Sequence, residues 1–187
     1  MSIRPSFEPP RTTRARGLTL IELMAAFAIV GVLASVALPG FAGAIERYRL
    51  RRASEDMTAS LYIARSEAIR RGGHVTLAKM SAPGCTAKAR NDWSCGWVVF
   101  ADDNGNGVLD PGERQIQVSP PTQGVTTTAA LPNPQNRTRL DRWGRFNDNA
   151  GALSFGFAPA GSTATSNNRR VCVNGGRIRT VTGDTSC

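Results

Sequence analysis

Three groups of residues have the types and the spacing to do chemistry. Asp102, Asn104, Asn106, Asp110 and Glu113, with Gly107 among them, repeat the oxygen-donor spacing of an EF-hand loop, whose ligand is calcium. Arg177 and Arg179 alternate in Gly176-Arg177-Ile178-Arg179. On a strand they share one face, where paired guanidiniums can grip successive phosphates. Glu22 is the one charge between Leu18 and Leu38, in LTLIELMAAFAIVGVLASVAL. Inside a bilayer a carboxylate costs up to roughly 3 kcal/mol and needs a partner. Catalytic patterns are missing. The single histidine, His74, stands alone at a strand start, no nucleophile stands with a base, and GGRIR lacks the phosphate-loop pattern. The sequence therefore reads as a non-enzyme without a cofactor.

The elements that position these groups follow from the hydrophobic pattern. A helix rising about 1.5 Å per residue over Leu18–Leu38 crosses a hydrocarbon layer of roughly 30 Å. Arg4, Arg11, Arg14 and Arg16 precede it, against Glu8. They should stay cytoplasmic, which puts the rest of the chain outside. Arg47, Arg49, Arg51 and Arg52 follow the span and weaken this rule. The small residue Gly17 stands before the apolar run rather than after it. A cut there leaves the apolar helix on the mature chain, unlike an ordinary secretory signal. The formal charge is +9; residues 1–17 contribute 4 − 1 = +3, so the remainder carries 9 − 3 = +6. A basic balance of this size points to acidic partners: nucleic acid, anionic lipid or an acidic protein surface.

Gly17–Leu23, GLTLIEL, resembles the leader junction of type IV pilins and type II secretion pseudopilins. The resemblance implies a prepilin peptidase cut between Gly17 and Leu18, N-methylation of Leu18, and Glu22 as mature residue five. There Glu22 would meet the terminal ammonium of a neighbouring subunit during assembly. Leu18 replaces the family's usual Phe. Pro39 stands where many pilins have a proline, and is expected to kink or end the helix.

From Ala44 to Arg71 there is neither Pro nor Gly. Leu50, Ala53, Met57, Leu61, Ala64 and Ala68 form one apolar stripe at helical spacing, while Arg47, Arg51, Arg65 and Arg70 fall on other, solvated faces. Gly72-Gly73 should end the helix. Strands are expected at His74–Lys79, Gly96–Ala101, Gln115–Val118, Gly124–Ala129, Leu153–Phe157, Arg170–Val173 and Arg177–Thr182. Turns are expected between them, Pro132–Asn136 included. The fold class is thus α+β: a long N-terminal helix packed on a mostly antiparallel β domain. Its expected parts are a leader (1–17), a membrane span (18–38), a periplasmic half-helix (39–72) and a β-rich periplasmic domain (73–187).

Trp93–Ile116, WSCGWVVFADDNGNGVLDPGERQI, resembles the GspH/FimT group of pseudopilins and minor pilins, as does FGFAPAGSTA at Phe155–Ala164. Within the first stretch, the strand before Asp102 and Pro111-Gly112 after it disfavour flanking helices. Turn chemistry in a hairpin loop is therefore preferred over calcium for Asp102–Glu113. Cys85, Cys95, Cys172 and Cys187 allow three pairings in an oxidising periplasm. The simplest joins Cys85 to Cys95 and Cys172 to Cys187. GRIR is similar to the GRxR motif of FimT-type pilins and implies DNA binding for uptake. Arg169, Arg170, Arg142 and Arg145 are further candidates, with Trp143 and Phe146 as aromatics in DRWGRF that could stack on bases. The expected partners are other pilin subunits, prepilin peptidase, the inner membrane and DNA. The alternative is a GspH-like pseudopilin of type II secretion.

Overall fold

The computed structural model describes residues 17, 19–81, 84–85, 89–132, 136–146, 152–161, 167–174, 176–183, 185 and 187, without the side chains of residues 36–40. Helix α1 runs Leu20–Arg71, so it does not end at Pro39. The chain divides into two units, Met1–Ala42 and Gly43–Cys187.

In the first unit the helix start is capped by its own sequence. Thr19 Oγ1 accepts the Glu22 N–H at 3.3 Å, and Glu22 Oε2 accepts the Thr19 N–H at 2.8 Å. This reciprocal Thr-x-x-Glu arrangement satisfies two donors that a helix start otherwise leaves bare. Beyond it Leu20, Ile21, Met24, Phe27, Ile29, Val30, Val32 and Leu33 are all exposed. A helix that is apolar on every side has no single face to bury. Among the described residues no helix is long and apolar enough to cross a membrane. Leu18 and the side chains of Val36–Leu38, parts of the expected span, lie outside those residues.

In the second unit α1 becomes one-sided. Leu50, Ala53, Met57, Leu61, Ala64 and Ala68 are at most 1% exposed, so the expected stripe is the buried one. Glycine ends the helix: Gly72 and Gly73 take φ of 72° and 105°, and the Gly73 N–H donates to Ala68 O at 2.7 Å.

Eight strands follow: β1 (Val75–Lys79), β2 (Trp97–Ala101), β3 (Gln115–Ser119), β4 (Val125–Ala130), β5 (Arg137–Leu140), β6 (Leu153–Pro159), β7 (Arg169–Asn174) and β8 (Arg177–Thr182). They make two four-stranded sheets, ordered β3-β2-β1-β5 and β4-β6-β7-β8, with every pairing antiparallel. Strand β5 falls where the sequence pattern suggests only a turn and basic residues. Its Thr138 and Leu140 are buried while Arg139 is exposed, an alternation too short to stand out beside two arginines.

The helix stripe and both sheets share one core. Trp93 packs edge-on to Phe155, and Trp97 to Phe157, with ring centroids 5.2 Å and 6.5 Å apart. One polar chain crosses this core. Trp97 Nε1 donates to Ser60 Oγ at 2.9 Å, and Ser60 Oγ donates to Asp56 O at 2.8 Å. Two disulfides complete the unit, Cys85–Cys95 and Cys172–Cys187.

Candidate functional site

Strand register sorts the arginines. In an antiparallel pair, directly opposed residues point to the same side of the sheet. Arg169 opposes Thr182 and Phe157, Val173 opposes Ile178, and Val171 opposes Phe155. These residues face α1 and the core; Arg169 Nη1 reaches Ser54 Oγ at 3.4 Å. The opposite set faces outward: Arg170 opposes Val181, Cys172 opposes Arg179, and Asn174 opposes Arg177. Arg170, Arg177 and Arg179 therefore share the outer face of the second sheet. Arg177 and Arg179 are exposed on either side of half-buried Ile178.

Position along β8 does the rest of the work. Ile178 packs against the core and holds the strand in register, so its two neighbours must point away. The tail comes back over this face through the Cys172–Cys187 disulfide. Arg179 Nη2 donates to the Cys187 carbonyl at 3.2 Å. The neighbouring outward positions of β6 and β4 are small or hydroxylated: Ser154, Gly156 and Ala158, then Thr126 and Thr128. Ser154 and Cys172 on this face are buried, whereas Arg177 and Arg179 at its edge are exposed, where cationic side chains suit contact with a polyanion.

Arg142 and Arg145 occupy a different surface, the turn after β5. Their guanidinium carbons lie 5.4 Å and 4.7 Å from the ring centre of the exposed Trp143. Asp141 builds this turn. Its Oδ1 accepts the Trp143 and Arg145 N–H groups, each at 2.9 Å, and its Oδ2 takes Arg145 Nε at 2.9 Å. Burial pushes the Asp141 carboxyl up, yet these hydrogen bonds and the Arg145 charge outweigh it and hold the group below the ordinary aspartate value.

Arg65, expected on a solvated face, is half-buried between that turn and the β7–β8 turn. Its Nη1 donates to Gly176 O at 2.5 Å. A Cβ on Gly144 would come within 2.6 Å of Arg65 Cγ. The arginine stem thus lies against the Trp143 turn while its head holds the turn that starts β8. Spacing along the helix cannot reveal this, because both partners lie far away in sequence.

The Asp102–Glu113 segment connects β2 to β3 in a hairpin, and neither flank is helical. Asn104 Oδ1 and Asn106 Oδ1 accept the N–H groups of Asn106 and Val108. The Nδ2 groups of both asparagines donate to Asp110 Oδ2 at 2.7 Å, and Glu113 accepts the Asp103 and Asp110 N–H groups. Among the described residues no three His, Cys, Asp or Glu side chains gather as a metal cluster.

At the N-terminus, Gly17 is exposed and Leu18 lies outside the described residues. Glu22 engages Thr19, a pairing that the Thr-x-x-Glu spacing carries as a capping box.

Comparison with known proteins agrees with the fold and with the N-terminal motif. The family model described as type II transport protein GspH matches residues 53–177, and the prokaryotic N-terminal methylation motif matches residues 12–38. The pilin-like protein PilA1 of Thermus thermophilus is 36% identical over 99 residues, 53% of this chain and 56% of the relative. The chain thus spans about half the length of that curated relative. A crystal structure of the type IV minor pilin FimU from Pseudomonas aeruginosa is similar at a TM-score of 0.52 and 21% identity, over 72% of this chain and 89% of that one. A second crystal form gives 0.51 and 20%, over 71% and 92%. At such identity the likeness is one of fold.

Proposed function

The chain belongs to the GspH family, and from that premise we propose that it is a type IV minor pilin whose second sheet binds DNA for uptake. At the coarser level it is a minor pilin or pseudopilin with a prepilin methylation motif, a structural subunit and not an enzyme. Membership implies processing by prepilin peptidase and assembly with other pilins, from an inner-membrane-anchored precursor into a filament. In our reading the cut falls between Gly17 and Leu18, Leu18 is N-methylated, and Glu22 pairs with a neighbouring subunit's terminal ammonium. The all-round apolar exposure of Leu20–Leu33 supports such burial among lipids and neighbouring helices.

The observation that carries DNA binding is the shared outward face of Arg170, Arg177 and Arg179. Guanidiniums held by a strand give phosphate contacts that ignore base sequence and weaken with salt. Arg142 and Arg145 around Trp143 offer a second cationic surface with an aromatic for an unpaired base. Full-length protein in detergent, titrated with duplex DNA across a salt series, tests this. Binding should weaken steeply with salt, and Arg177→Ala/Arg179→Ala should lower the salt slope by about one per arginine removed. Absence of binding at low salt would return these arginines to subunit contacts.

The family description favours one other reading, a pseudopilin of type II secretion. In that case the same face meets a neighbouring subunit or an exported protein, and DNA has no effect on it.

A further inference from the structure

Turn chemistry accounts for most of the β2–β3 loop but leaves one atom over. Asp102 is 1% exposed. Its Oδ2 accepts Thr76 Oγ1 at 2.7 Å and the Gly107 N–H at 3.0 Å. Its Oδ1 is buried with no hydrogen-bond partner. A buried carboxylate oxygen without a donor is costly and calls for an explanation. A turn needs only one carboxylate oxygen to hold the Gly107 N–H. Oδ2 reaches that N–H across the loop, so the Asp102 carboxylate lies against the loop's Gly107 with Oδ1 left unpartnered.

The sequence supplies the second observation independently. From Asp102 the chain places oxygen-bearing side chains at positions 1, 3, 5, 9 and 12, with glycine at position 6, the order of a twelve-residue calcium loop. Gly107, at position six, has φ 74°, and a Cβ there would clash with the Arg137 side chain. We propose that Asp102–Glu113 is a calcium site carried on a β-hairpin instead of between two helices, with the free Asp102 oxygen as its anchor ligand.

Part of such a site is already gathered, on Asp110, although the three carboxylates do not yet surround one point. Both Asn104 and Asn106 aim their amide heads at Asp110 Oδ2. Rotating the two amides by half a turn would bring their carbonyl oxygens to the same place, where a cation would meet Asp110 as well and would have to offset the Asn106 and Val108 N–H bonds those oxygens now accept. Val108 stands at position seven, whose backbone carbonyl is the usual ligand. Glu113, at position twelve, bridges both ends of the loop through the Asp103 and Asp110 N–H groups. Three carboxylate ligands against a divalent ion leave the ligand set at −3 + 2 = −1, and Asp103 makes the loaded loop −2. Arg137, packed on Gly107, and Arg139, which donates to Gly105 O at 2.5 Å, balance it. Two neutral asparagines among the ligands and a partly exposed loop favour the weak range of extracellular calcium modules, Kd about 10⁻⁴–10⁻³ M.

The test uses full-length protein in detergent, stripped with a chelator and titrated calorimetrically with calcium chloride, with magnesium chloride as the comparison. One calcium per chain should bind, magnesium should bind more weakly, and the melting temperature should rise with calcium concentration. Asp102→Asn should abolish the titration. Since that residue is buried, Glu113→Gln and Asn106→Ala at the loop periphery provide variants whose circular dichroism should match the wild type. Each should lower the affinity at least tenfold while the protein stays folded in chelator, even where lost loop hydrogen bonds lower its melting temperature. No calcium uptake by the folded wild type at several millimolar would overturn the proposal. So would uptake that persists unchanged in both peripheral variants.

Discussion

Arg65 of the helix holds Gly176 of the β7–β8 turn: its Nη1 donates to the Gly176 carbonyl across 111 residues of sequence. This bond fixes the point at which β8 begins, and with it the direction of Arg177. Replacing Arg65 with Ala removes a charge-assisted bond and the stem that lies on Gly144. We expect a loss of about 1.5–3 kcal/mol, read as a lower urea midpoint with unchanged slope. Arg65→Lys should recover only part of it, since a lysine cannot reproduce the fork of the guanidinium. An unchanged midpoint for Arg65→Ala would show that the turn stands without the helix.

The Trp143 turn should be acid-sensitive through Asp141. Its folded-state pKa is depressed, so its stabilising effect is complete above the unfolded value and is lost as the pH falls through the folded one. The stability gap between wild type and Asp141→Asn should stay constant from neutrality down to about pH 5 and shrink below about pH 4. A gap that persists unchanged to lower pH would mean that Asp141 acts by shape alone.

Trp97 ties the first sheet to the helix through Ser60. Trp97→Phe keeps most of the apolar surface but leaves Ser60 short of a donor in a buried place. A cost of about 1–3 kcal/mol is expected in chemical denaturation. Ser60→Ala in the same background should then cost little more, because the two residues act as a pair. Additive losses would show that they do not.

Processing and assembly should separate at Gly17 and Glu22. A charged side chain at Gly17 should block cleavage, leaving a precursor heavier by residues 1–17 in mass spectrometry. Glu22→Gln should be cleaved normally yet enter filaments poorly. The mature amide can still take part in capping at Thr19 but offers no charge to a neighbour's ammonium. Cleavage of a Gly17→Asp chain at the same bond would contradict the assigned junction.

Much of this architecture was legible because local and global signals agree. The Leu50–Ala68 stripe is the buried stripe, and glycine stops the helix where the pattern stops. Arg177–Thr182 is a strand with the bounds its alternation suggests. Three features were hidden for physical reasons. Strand β5 is four residues long, and two of them are arginines. Arg65 gains its role from a tertiary contact, which no helical periodicity encodes. Among the candidate arginines, sequence could pair Arg177 with Arg179, but only the register of β7 sends Arg170 to their face and Arg169 to the opposite one. Whether the Trp143 turn lay near them was equally beyond sequence, since it depends on how two sheets meet one helix.

That split between neighbouring arginines gives the most direct test of the central claim. Full-length protein is titrated with duplex DNA at low salt, as wild type, as Arg170→Ala/Arg177→Ala/Arg179→Ala, and as Arg169→Ala. The outward triple should lose most of its affinity and its salt dependence. Arg169→Ala, at a position facing Ser54 and the helix, should bind DNA like the wild type. Equal losses from both variants, or none from the triple, would contradict a DNA-binding outer face.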